Sequence, residues 1–155
     1  MLYIQNHTSK NTSINKEQFP RIYTHINWEE FGGMRVLDFG CGRYTKHIRK
    51  LMWLYNIEWH GYDPHWQIDR LNEEALHCEP QIVICSNVFN VLDNYRDVTH
   101  IHDFIRYHLL PPFFFFTVYE GDKSGIGKET KKDCWQRNEA LEEYLYSDEV
   151  IKCRI

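Results

Sequence analysis

Two carboxylates and two glycines are the residues of this 155-residue chain whose types and spacing could best do chemistry. The stretch Val36 to Arg43 reads VLDFGCGR, with Asp38 just ahead of Gly40, Cys41 and Gly42. A glycine turn lets the backbone come close to a ligand, and the open amides at a helix start favour polar or anionic groups. About 20 residues further on stands Asp63, within GYDP, where a carboxylate can accept both hydroxyls of a ribose. Asp38 adds the opposite implication. Beside a pyrophosphate it would be repelled, whereas an amino-acid ammonium would attract it. The third small residue of a GxGxxG turn is also missing, because Thr45 stands there. A nucleoside carrying an amino-acid tail therefore fits better than a dinucleotide.

Those residues need strands to present them and helices to cover the strands. Arg21 to Phe31 has the spacing of a short helix closed by Gly32-Gly33, and Met34 to Phe39 that of a strand buried on both faces. Thr45 to Asn56 reads as a helix with Thr45 as N-cap, and Ile57 to Tyr62 as a second strand stopped by Asp63-Pro64. This is a β-α-β unit, which makes its two strands parallel. A short helix around Ile68 to Leu76 precedes the apolar strand Gln81 to Ser86, and a helix over Asp93 to Leu110 ends at Pro111-Pro112. Phe113 to Tyr119, with four consecutive phenylalanines, is the most apolar strand and is expected at the centre of the sheet. Glu120 to Asp133 reads as a long polar loop, Cys134 to Tyr146 as a helix and Val150 to Ile155 as a last strand. The expected fold is α/β, a Rossmann-like, mostly parallel sheet with helices on both faces, abridged by one strand-helix unit between Asp63 and Gln81. Residues 1–20 read as a flexible arm or lid and 21–155 as a single domain.

Ligands of open parallel sheets bind beyond the carboxyl ends of the strands. The polar residues there are Asp38, Asp63, Asn87, Asn90, Tyr119 and Glu120. Asn87 is a candidate for the cofactor or the substrate edge, and Asn90, Tyr119 and Glu120 for the reacting groups. The two asparagines equally suit caps of the following helix, and Tyr119-Glu120 a simple strand end.

Composition narrows the partners. A net charge of -4 supplies no global field for phosphate backbones. The lysines after Glu120 leave a nucleic-acid acceptor open without favouring it, and a protein partner or a second copy of the chain also stays open. No apolar run approaches the roughly 20 residues that cross a bilayer, and the polar start has no signal-peptide core, so a cytoplasmic protein without a membrane partner is expected. The 5 cysteines are widely spaced and read as free thiols, and the 9 histidines form no pattern that implies a metal.

With these residues in hand, the chain resembles the class I S-adenosylmethionine-dependent methyltransferases. VLDFGCG is similar to their first motif and GYDP to their ribose-binding acidic motif. VICSNVFNVL, with a downstream VYEG, looks like a group of small bacterial and phage-type members. The likeness covers roughly Met34 to Arg137 and departs at Tyr44, where the family commonly has a third glycine. It implies S-adenosylmethionine as cofactor, with Asp38, Gly40 and Gly42, and Cys41 between them, at the methionine part, Asp63 at the ribose, and Asn87 at the cofactor or substrate edge. The implied activity is methyl transfer to an acceptor that no motif names. The alternative is a protein that binds or sequesters the cofactor, as a regulatory subunit would, or breaks it down, without transferring the methyl group.

Overall fold

The protein is described here from a computed structural model covering residues 18–92, 95–118, 128–131 and 134–136. Along the chain lie α1 (Arg21–His25), a 3-10 turn (Trp28–Phe31), β1 (Arg35–Phe39), α2 (Lys46–Leu54), β2 (Glu58–Tyr62), α3 (Asp69–Leu76) and β3 (Ile82–Ser86). A second 3-10 turn (Phe89–Val91) leads to α4 (Tyr95–Asp103), a π-helical stretch (Phe104–Leu109), β4 (Phe113–Thr117), β5 (Lys128–Lys131) and β6 (Cys134–Gln136).

Four strands form one parallel sheet in the order β2-β1-β3-β4. From β1 the chain steps one way to β2, then crosses back past β1 to β3 and on to β4. Right-handed crossovers send helices of opposite steps to opposite faces, and two separate apolar clusters result. One gathers Val36, Trp59, Ile82 and Ile84 under α1 and α2, with Ile22, Ile48 and Met52. The other gathers Leu37, Phe39, Val83 and Cys85 under α3 and α4, with Ala75, Val98 and Ile101. Odd and even residues of β1 and β3 thus serve opposite cores, which is why both strands read as continuous apolar runs.

The expected α/β fold with a parallel sheet and helices on both faces is present, with several corrections. The phenylalanine strand β4 is at the edge of the described sheet, and β1 and β3 are central. Phe113 is accordingly 36% exposed, and Phe114 to Phe116 are half-buried. Phenylalanine suits such a site because its large ring packs usefully even when one side is open: Phe31 meets Phe113 edge-on at 5.1 Å. The helix expected over Arg21 to Phe31 breaks at Ile26, whose extended backbone (φ -96, ψ 128) separates α1 from the 3-10 turn. Thr45 stands at the N-cap position of α2 without a side-chain capping bond. The helix ending before Pro111 finishes in π-helical form at Leu109, and Leu110 after it takes a left-handed conformation. Cys134–Gln136, expected in a helix, pairs antiparallel with Lys128–Lys131, expected in a loop. Residues 1–17, and with them nearly all of the expected arm, lie outside the described residues. So do most of the loop and helix expected after β4 and the strand expected over Val150 to Ile155.

Candidate functional site

The carboxyl ends of β1 and β2 are tied together by the glycine turn. Gly40 and Cys41 both donate their amides to the Tyr62 carbonyl, at 2.8 and 3.0 Å, and Gly42 donates to Asp63 Oδ2 at 2.9 Å. Gly40 (φ +83) and Gly42 (φ +71) take backbone conformations that side chains resist. A Cβ on Gly40 would also come within 2.3 Å of Val88 Cγ2, so the turn and the end of β3 approach as closely as they do only because Gly40 has no side chain. The amides expected to be open at this turn are therefore occupied at positions 40 to 42. They hold β2, and a pyrophosphate would find none of these three free.

Asp63 is a buckle between segments. Its Oδ2 takes the Gly42 amide, and its Oδ1 takes the amides of His65 and Trp66 at 2.9 and 3.2 Å. A carboxylate has about four acceptor directions, so a ligand hydroxyl still has one. Burial raises its pKa above the usual carboxylate value, opposed by the amides of His65 and Gly42. Asn72, on α3, holds the backbone beneath: Asp63 N donates to its Oδ1 at 2.9 Å, and its Nδ2 donates back to the Asp63 carbonyl at 3.1 Å.

Asp38 is more deeply placed, at 1% exposure. Its Oδ2 accepts the Tyr23 hydroxyl at 2.6 Å, while Oδ1 is buried with no hydrogen-bond partner among the described residues. Burial pushes its pKa up to about 7; the Tyr23 hydrogen bond works against this and the charge of Asp63 adds to it. Tyr23 in turn accepts Trp59 Nε1 at 2.9 Å, and burial followed by the Asp38 charge lifts its own pKa well above the usual tyrosine value. Cys41 is held in a similar environment: burial, then Asp38 and Asp63, push its thiol well up. It stays protonated and is no nucleophile at neutral pH.

The ends of β3 and β4 offer less. Asn87 is exposed and left-handed (φ +53), with its amide on the Thr117 carbonyl at 3.0 Å. Asn90 is completely buried within the second 3-10 turn, which puts its amide in the packing and away from solvent. Neither asparagine caps α4, which begins only at Tyr95. β6 passes beside that 3-10 turn, bringing the β5-β6 hairpin to the same end of the sheet. Tyr119 and Glu120 lie outside the described residues.

Tyr23, Trp59 and Asn72 were not among the residues singled out from the sequence. Asn72 left one signal, a poor helix former in a helix interior. Tyr23 and Trp59 read as ordinary core aromatics, and nothing in the sequence indicates that they meet Asp38. At the rim, the Arg43 guanidinium lies 5.0 Å from the Trp66 ring centre and 5.5 Å from that of Tyr44, so Tyr44 packs with a cation where a third glycine would leave space. Compared with known protein families, with curated proteins and with solved structures, the chain matches none.

Proposed function

We propose that the chain is an S-adenosylmethionine-dependent methyltransferase on a Rossmann-like domain, acting in the cytoplasm. The observation that carries this reading is Asp38, a buried carboxylate at the end of β1 with one oxygen that has no partner among the described residues. A buried acceptor left unpaired costs roughly 1–3 kcal/mol, more when charged, and an amino-acid ammonium supplies the missing donor together with the compensating charge. Gly40 and Gly42 keep the backbone free of side chains beside it, Cys41 contributes a protonated thiol, and Asp63 keeps one acceptor direction for a ribose hydroxyl. Asn87, exposed just past β3, is at hand for the outer edge. The occupied amides at positions 40 to 42 count against a dinucleotide.

When bound, the sulfonium cofactor supplies an electrophilic methyl group. The chain's contribution is orientation: Asp38 fixes one end through its charge, Asp63 fixes the sugar, and proximity to the acceptor provides most of the acceleration. A base is not required of the residues described. A second reading, cofactor binding without transfer, draws support from the three amides already on Asp63 and from Tyr44 in the place of a glycine.

Titration calorimetry with S-adenosylmethionine, S-adenosylhomocysteine and NAD tests the proposal. Sub-millimolar binding of the first two and none of NAD is expected; no binding of either sulfur compound ends it. Transfer of a labelled methyl group to a cell fraction, lost in Asp63→Ala, then separates transferase from binding protein.

A further inference from the structure

Asp38 is reached from a segment 15 residues earlier in the chain, from α1 packed on the sheet rather than along the motif that carries it. Three bonds fix that approach. Trp28 Nε1 donates to the Tyr23 carbonyl at 2.9 Å, Trp59 Nε1 donates to the Tyr23 hydroxyl, and the Gln18 carbonyl accepts His47 Nε2 at 2.8 Å. The second bond has a directional consequence. With an indole N–H pointing at its oxygen, the phenol must send its own proton elsewhere, and Asp38 Oδ2 lies 2.6 Å away. One carboxylate oxygen is thereby capped, and the other is buried without a hydrogen-bond partner among the described residues.

We propose that Tyr23 is a positioning residue for the candidate site: its hydroxyl, aligned by Trp59, clamps Oδ2 of Asp38 and favours the ionised carboxyl, so that Oδ1 can take a cationic group of the ligand. This rests on the reading of Asp38 as the ammonium acceptor. The titratable groups around Asp38 are Tyr23 from α1, Cys41 from the glycine turn, Asp63 beyond β2 and Cys85 from β3. Burial and the charge of Asp63 favour the neutral carboxyl, and the Tyr23 hydrogen bond favours the charged one. Arg49 stacks over Trp59 at 4.7 Å and acts on Cys41. The clamp therefore sets the pH above which the site accepts a cation, and ligand affinity weakens as pH falls through the neutral range.

The test is the pH dependence of S-adenosylhomocysteine affinity in the wild type, Tyr23→Phe and Trp59→Phe, together with the titration of the Asp38 side-chain carboxyl carbon by NMR in the ligand-free proteins. Tyr23→Phe should move the carboxyl midpoint up by about one unit, which weakens binding about fivefold at pH 7, and the two affinities should converge towards pH 9. Trp59→Phe should move it in the same direction by less. An equal loss of affinity at every pH, with the carboxyl midpoint unmoved in both variants, overturns the proposal and leaves Tyr23 a packing residue. Absence of binding by the wild type counts instead against the methyltransferase reading, and the ligand-free titration still decides the clamp.

Discussion

The two halves of the sheet end differently. At the carboxyl ends of β1 and β2, the glycine turn, Asp63 and Asn72 form one continuous set of bonds, and Asp38, Tyr23 and Trp59 form another. At the ends of β3 and β4, Ser86 and Thr117 barely touch, their hydroxyls 3.5 Å apart, and Asn87 is exposed. Even within the first half the two acids diverge. Asp63 accepts three amides close to it in space and keeps one acceptor direction, whereas Asp38 has one tyrosine and, among the described residues, an unpaired oxygen. A fold that buries a charge without finishing its hydrogen bonds gives up stability there, and such sites are where function is expected.

Asp38→Asn is the strongest way to break this contrast. The native pKa is raised to about 7, so the folded state holds its proton where the unfolded chain has lost it, and wild-type stability falls as pH rises from about 4 to about 7. The full difference is on the order of 4 kcal/mol above pH 7. The variant escapes that loss. Denaturant unfolding should find it more stable than the wild type at pH 8, with the gap narrowing as pH falls through the acid range, while S-adenosylmethionine binding disappears. A variant no more stable at pH 8 than at pH 4, relative to wild type, removes the claim that the charge is uncompensated.

Gly40→Ala comes next. The positive φ and the 2.3 Å approach to Val88 Cγ2 together should cost about 2–4 kcal/mol, and Val88→Ala in the same chain should restore part of it. A double variant no better than the single one would mean that backbone strain alone sets the cost.

Asn72→Ala should cost about 1–3 kcal/mol by leaving the Asp63 backbone groups unpaired. Faster hydrogen exchange at the amides of Gly42, His65 and Trp66 would confirm that Asn72 supports the buckle. At the quiet end of the sheet, Ser86→Ala should change unfolding free energy by less than about 0.5 kcal/mol. A loss several times larger would show that the β3-β4 half is not as loosely bonded as its geometry indicates.

The elements around the turn were legible because their signals are local. VLDFG and QIVICS are apolar runs between turn residues, α2 carries its apolar residues at helical spacing, and both strands and the helix formed within a residue or two of expectation. The candidate acids were legible for the same reason, since each ends a strand. The edge position of β4 was not, because four phenylalanines signal apolarity without saying which strand lies on either side. The β5-β6 pairing was obscured by charged, lysine-rich sequence whose strand character depends on a partner.

Sequence alone thus determined the α/β alternation, the parallel first unit and the two carboxylates beside a glycine turn, since strand ends and tight turns depend on neighbours in the chain. Only the tertiary structure decided what each carboxylate meets. Tyr23 and Trp59 arrive from separate segments, and the amides of Gly40, Cys41 and Gly42 turn inward to β2. Desolvation also belongs to the assembled core: Asp38 departs from an ordinary acid because α1, β1 and β2 close around it.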